Sequence, residues 1–228
     1  MKILKALILT IFLFIGNHMY SQNGLYSITV HAGAELSDMD VEKIKSDPKF
    51  GFRTGVGFEF NLHKKFYLQT GLDFAMKGAE TKYILEGDIN MDGISDDYLS
   101  VKDNINTSYL ILPIKGGYRL DVSNAIRMNL SLGPYFGYGI GGKTKSKEDG
   151  YFGISGGEHQ AIKARDEFNS FSNNNLKRFD MGLAGNVGIE YNRFLLNVGY
   201  EYGFIDHSRS VLSSYNNSLY ITVGYRIL

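Results

Sequence analysis

The feature that most constrains this chain is a two-residue hydrophobic period that recurs in eight separate segments. In residues 194–204, Phe194, Leu196, Val198, Tyr200, Tyr202 and Phe204 share one face, while Leu195, Asn197, Gly199, Glu201 and Gly203 share the other. Strand geometry separates the two sets this way and helical geometry does not. The same alternation runs through residues 26–36, 52–62, 66–77, 109–120, 126–141, 179–191 and 219–227. Eight strands are therefore predicted. With 27 Gly, 16 Tyr and 15 Phe but only 3 Pro, the composition suits strands with close backbone approaches.

The connections between these segments alternate in length. They run long (37–51), short (63–65), long (78–107), short (121–124), long (142–177), short (Asn192) and long (205–217). A soluble meander has no reason for that rhythm. An outer-membrane barrel has one, with tight periplasmic turns, long outside loops and an even strand number. Segments of this length suffice for tilted crossings of the hydrocarbon, and closure satisfies every backbone group there. The expected fold is all-β, an eight-stranded antiparallel up-and-down transmembrane barrel with a filled polar lumen, in the outer membrane of a Gram-negative bacterium.

The less apolar face of the strands carries charge. It holds Arg53, Lys77, Lys115, Arg119, Arg127 and Arg226, and also Glu35, Glu59, Asp73, Asp180, Glu190 and Glu201. An eight-stranded barrel has an interior just wide enough for side chains. Six basic and six acidic groups in so narrow a tube should pair, because unpaired charges there are costly. Interleaved glycines leave room for the long side chains. The apolar face, rich in Tyr and Phe, is expected to meet outer-membrane lipid. Pattern alone does not state which face is inside. A soluble lipocalin-like barrel, with the apolar face turned inward around a ligand, is the alternative.

The N-terminus reads as an export signal. Lys2 and Lys5 precede an apolar run at 6–15, and a short polar exit follows at 16–22. The run is too short to span a bilayer and has the flanks of a cleaved secretory peptide. An N-terminal anchor helix is the other reading. Cleavage near Ser21 and Gln22 divides the chain into a signal peptide at 1–21 and a barrel domain at 22–228. No Cys follows the apolar run, so no lipoprotein anchor is expected.

Other classes fall away on composition. Lys plus Arg and Asp plus Glu are both 24, a balance that argues against a nucleic-acid binder held by a basic face. At 43% hydrophobic residues, a polytopic helical membrane protein is not expected. The absence of Cys excludes disulfide scaffolds, thiolate metal sites and Cys nucleophiles.

Several short stretches carry the resemblance to a known family. YLILPIKGGY at 109–118, FDMGLAGNVGIEY at 179–191 and the terminal VGYRIL are similar to strand motifs of the PorT-like outer-membrane β-barrel proteins of Bacteroidetes. These are small eight-stranded barrels of OmpA type. The resemblance covers the mature chain, including its loop order. It departs at the end, where Ile227 and Leu228 replace the usual terminal Phe. It implies contact with the barrel-insertion machinery and, for some relatives, a place beside a protein-secretion and gliding system. Most relatives have no assigned activity.

Candidate chemistry is sparse. In the loop DINMDGISDD at 88–97, Asp88, Asn90 and Asp92 alternate ahead of Gly93, the opening of a Ca²⁺ loop. The Ile94 carbonyl and Asp96 or Asp97 complete a possible site. The EF-hand Glu is missing, with Leu99 in its place, so a thrombospondin-type-3-like spacing fits better. A solvated acidic hairpin tip explains the same residues. Tyr83–Leu85 and Tyr98–Val101 can continue their strands beyond the membrane, so that this turn caps a projecting hairpin. No cofactor is otherwise required. Gly153, Ser155 and Gly157 match G-x-S-x-G, but the strand–elbow–helix that motif needs is absent. Asp206, His207 and Ser208 are consecutive, so their side chains point apart and make no triad by themselves. No enzyme is expected. His31 is placed as a hydrogen-bonding group of the lumen, and His63 in a periplasmic turn.

The 143–177 stretch holds Lys143, Lys145 and Lys147 with Tyr151, Phe152, Phe168 and Phe171. It either covers the barrel mouth or offers a surface to an unidentified loop partner. Basic residues near the outer rim can pair with lipopolysaccharide phosphates. A non-enzymatic envelope protein, structural or acting through its loops, is the leading expectation. A small porin or transporter is the alternative.

Overall fold

The computed structural model describes residues 25–41, 44–63, 65–89, 91, 96–154, 158–172, 176–208 and 213–228. The proposed signal peptide lies outside them. Ten antiparallel strands follow in chain order: β1 (Tyr26–Val41), β2 (Lys45–His63), β3 (Phe66–Gly87), β4 (Asp97–Asp121), β5 (Ile126–Gly141), β6 (Lys143–Ile154), β7 (Glu158–Asn169), β8 (Phe179–Tyr191), β9 (Phe194–Gly203) and β10 (Ser214–Arg226).

Eight of these close a ring. β1 to β5 pair in sequence, then β5 pairs with β8, β8 with β9, β9 with β10, and β10 returns to β1. The seam sets Thr29 opposite Arg226 and Val41 opposite Ser214. Closure leaves the ring no free edge, the condition for a sheet surrounded by lipid. The turn between β8 and β9 is two residues, Asn192 and Arg193. Asn192 takes φ 56 there, a left-handed conformation that Asn tolerates better than most residues.

The alternation settles which face is which. Along β5, Leu130 is 56% exposed, Ser131 1% and Leu132 62%. Val187, Val198, Ile221 and Val223 are likewise exposed, while Asn186, Glu201 and Thr222 are buried. The apolar face points outward and the polar face fills the interior. That overturns the lipocalin-like alternative, which needs the reverse.

The outside connections are not loops for most of their length: the strand continuation expected at 83–85 and 98–101 is present, and elsewhere the structure departs from the expectation of short strands joined by long loops. β3 and β4 stay paired from Phe66–Tyr118 up to Gly87–Asp97, far past the apolar band. β6 carries on where β5 ends and pairs with the outer half of β4, from Ile105–Thr144 to Tyr98–Tyr151. β7 then pairs along β6. With the start of β2 joined to β3 through Lys45–Lys82 and Pro48–Ala79, a five-stranded sheet stands on one side of the barrel mouth. β6 and β7 escape sequence reading because β7 is exposed on nearly every residue, so no apolar alternation marks it.

Candidate functional site

Four of the strands that carry inward charge meet at mid-barrel. Arg53 of β2 binds Glu35 of β1 with two bonds, Nε to Oε2 and Nη2 to Oε1, both 3.1 Å. Its Nη1 reaches Glu201 Oε1 of β9 at 2.6 Å and Asp73 Oδ2 of β3 at 3.3 Å. Lys77 Nζ completes the group, 2.7 Å from Glu201 Oε2 and 3.6 Å from Glu35 Oε1. His31 Nε2 sits 3.0 Å from Asp73 Oδ1. Charge-assisted and bidentate bonds of this kind are the strong ones, and they replace the water that such buried charges lack.

A second charged layer lies toward the short turns. Arg226 Nη2 and Nε contact Glu190 at 2.8 and 3.0 Å, and its Nη1 reaches Glu59 Oε2 at 2.8 Å. Arg119 Nη2 meets the same Glu59 oxygen at 2.6 Å. Arg127 also pairs with Glu190 and is the most exposed of the set.

Lys115 departs from the expected pairing. Among the described residues no carboxylate lies within ion-pair distance of it, and its Nζ donates to Asn186 Oδ1 at 2.6 Å. Parity places a side chain inside but not at a given height. At this height the neighbours are Gln69, Ser131 and Asn186. A cavity of about 20 Å³ beside them, bordered by His31, Glu59, Asn129 and Asn197, has room for about one water.

The outer end of the lumen is closed around Asp180, an expected inward charge, by groups outside the expected set. Asp180 of β8 receives bonds from Tyr135 Oη and Asn216 Nδ2, each at 3.2 Å. The fully buried His207 enters from the last long connection and places Nε2 3.0 Å from Asp180 Oδ1. Phe171 descends from the end of the β6–β7 hairpin and packs edge-on against Tyr109, ring centroids 5.6 Å apart. The Arg178 guanidinium lies over the Phe171 ring, 5.2 Å from its centroid. The 143–177 stretch thus covers the mouth with Phe171, the first of the two roles expected of it, and the rest of it forms β6 and β7 above the mouth.

The aromatic residues of the apolar face, such as Tyr138, Tyr200 and Phe194, point outward as expected, but four inward tyrosines, Tyr67, Tyr109, Tyr135 and Tyr220, are absent from the expected lumen set. Three lie directly opposite a glycine on the neighbouring strand: Tyr67 opposite Gly117, Tyr135 opposite Gly182, and Tyr220 opposite Gly199. A Cβ on any of these glycines would overlap the ring. Guanidinium groups stack on two of the rings, Arg53 over Tyr220 at 4.2 Å and Arg119 over Tyr67 at 4.8 Å. The glycines make room for rings more than for the charged stems.

The remaining candidates are placed as follows. Asp97 is buried and accepts the Ile89 N–H at 2.7 Å and the Gly153 N–H at 2.8 Å, so its carboxylate ties the β3–β4 tip to β6. Asn90, Asp92 and Ile94 of the Ca²⁺ spacing lie outside the described residues, and among those described no cluster of His, Asp and Glu is arranged to hold a metal. Asp88 and Asp96 flank the tip. Gly153 lies in β6 opposite His159 of β7, a hairpin and not an elbow. Ser155 and Gly157 are outside the described residues. Asp206 accepts the Ser208 and Ser214 N–H groups at 3.0 and 2.9 Å, while His207 points into the lumen. Burial alone would raise the Asp206 carboxyl, but those two bonds hold it below its usual range.

A family model described as an outer membrane protein beta-barrel domain matches residues 20–209. No curated protein matches the chain. Among solved structures, Ail, the attachment invasion locus protein of Yersinia pestis, is 16% identical, covers 88% of this chain and 98% of its own, and gives a TM-score of 0.38. OprG from Pseudomonas aeruginosa is 14% identical over 89% of this chain and 95% of that one, with a TM-score of 0.44. Neisserial surface protein A is 13% identical over 87% and 96%, with a TM-score of 0.36.

Proposed function

From its membership of the outer-membrane β-barrel domain family, to which this chain belongs, we propose that it is a closed, non-enzymatic barrel acting through the sheet it holds outside the membrane. The observation that carries the reading is a division of labour within single strands. The lower halves of β3 and β4 build the wall around a filled lumen, and their upper halves build the projecting sheet with β6 and β7. A pore would need an open interior, whereas charged layers, tyrosine rings and Phe171 occupy this one.

The strand motifs at 109–118, 179–191 and 223–228 support a PorT-like, accessory place beside a protein-secretion system. The test is a shortened hairpin. Residues 147–165 are replaced by Asn-Gly, a two-residue turn suited to the Ser146–Asp166 pair. The variant should keep the unboiled-to-boiled gel shift of an intact barrel. In a deletion strain it should fail to restore the extracellular protein profile that the full chain restores. Full restoration by the shortened chain would overturn the reading.

A further inference from the structure

The register of the projecting sheet lines up a row of cations. Lys45 lies opposite Lys82, Lys82 opposite Lys102, Lys102 opposite Lys147, and Lys147 opposite Arg165. One basic residue from each of five adjacent strands thus occupies a single row on one face, and all five are exposed. Like charges directly opposite one another destabilise a sheet. Among the described residues only Lys102 of this row has an ion-pair partner, Glu80 at 2.8 Å.

The row faces outward from the barrel. Lys82 shares strand parity with Leu72, Phe74 and Met76, and Lys102 with Leu110, Leu112 and Ile114. These are the residues of the lipid-facing band. Met76 is the last large apolar side chain of that band on β3, and Lys82 follows it by about 20 Å along the strand at roughly 3.4 Å per residue. With a strand tilt near 45°, that is about 14 Å above the hydrocarbon, beyond the roughly 5–8 Å of a phospholipid headgroup layer and within reach of the saccharide of a larger glycolipid. Between the two levels, Lys49 crosses β3 at Gly78, where an added Cβ would meet its Cδ at 3.1 Å, and donates to Asn106 Oδ1 at 2.6 Å and to Asn104 Oδ1. Lys49, Lys102, Asn104, Lys145 and Lys147 border a cleft of about 300 Å³ with Glu80 on its wall. Burial and the neighbouring Lys145 lower the Lys49 pKa against the pull of Glu80, as expected where cations crowd.

We propose that this face is a binding site for the phosphorylated saccharide headgroup of an outer-leaflet glycolipid, its phosphates seated on the Lys82–Lys102–Lys147 row and on Lys49. The lipid-anchored source is favoured because the cationic surface is on the same face as the lipid-facing wall of β3 and β4, so a saccharide bound to the row and to Lys49 leads down to acyl chains against that wall. The site requires the sheet to stand outside the membrane, as in the proposed function, and is independent of whether the lumen conducts.

The test uses the full mature chain in detergent micelles. Purified lipopolysaccharide is titrated against the wild type, the K82Q/K102Q/K147Q variant and K65Q at the opposite, short-turn end. The gel shift of each variant first establishes that its barrel is formed. Lipopolysaccharide should bind the wild type and K65Q alike. It should bind the triple variant at least about tenfold more weakly, as the loss of even one charge-assisted bond implies. Enzymatically dephosphorylated lipopolysaccharide should lose the same advantage. Equal binding to the wild type and the triple variant would overturn the site. So would tight binding of soluble inositol hexakisphosphate with no response to lipopolysaccharide.

Discussion

The phenol ring of Tyr220 in β10 covers Gly199, its direct partner on β9, so closely that any side chain at Gly199 would overlap it. Arg53 lies over the same ring and carries the salt bridges to Glu35 and Glu201. Glycine, ring and guanidinium form one stacked unit across the interior, and Gly117, Tyr67 and Arg119 repeat it nearer the short turns.

Gly199→Ala should therefore displace Tyr220 and, through it, Arg53. Overpacking of this kind typically costs about 1–3 kcal/mol. Denaturant titration, following the fraction that keeps the unboiled gel mobility, measures it. Gly116→Ala serves as the control, since an added Cβ there meets nothing within 4 Å. An effect at Gly199 no larger than at Gly116 would show that the stacked unit bears no strain.

Glu201 is the shared acceptor of Arg53 and Lys77. Glu201→Gln leaves an excess of buried positive charge and should cost about 3–5 kcal/mol in the same titration. Adding Lys77→Met removes the stranded ammonium and should return part of the loss. If the double variant is no more stable than the single one, the two charges are not coupled as the distances indicate.

Much of the wall and, of the projecting sheet, only the β3–β4 hairpin were legible in the sequence, for different physical reasons. A strand with one face in lipid and one in a polar lumen must alternate, so residues such as Leu130, Ser131 and Leu132 declare their faces by type. The twelve inward charges follow from the same parity. Tyr67, Tyr135 and Tyr220 share it too, and parity with Gln69, Ser131 and Thr222 was the available signal. Tyrosine's apolar ring hid them. Lys163, Arg165, Asp166 and Glu167 of β7 meet water on both faces, so no period marks that strand. Phe171 and His207 enter the lumen from connections, where parity says nothing. The cation row needs the register of five strands, which no single segment contains.

The last long connection should respond to acid late. The Asp206 carboxyl is held below its usual range by the Ser208 and Ser214 N–H groups despite its partial burial. A carboxylate lowered in the folded state contributes stability that is present above its unfolded pKa, about 3.9. That stability is lost as pH falls through the lower folded value. Protection of the Ser208 and Ser214 amides, taken relative to their intrinsic exchange rates at each pH, should thus persist at pH 5 and be lost only below pH 4. Asp206→Ala should make both fast at pH 7. Protection at pH 7 unchanged in the variant would show that another contact holds the connection.

The central claim is that the interior is full, and single-channel recording in planar bilayers tests it most directly. The wild type should show no stable conductance steps. Phe171→Ala should stay closed as well, because Tyr109, Tyr135 and the Arg53 layer lie beneath the cap. Steady steps from the wild type, with the barrel verified by its gel shift, would contradict the account and return the protein to the class of small pores.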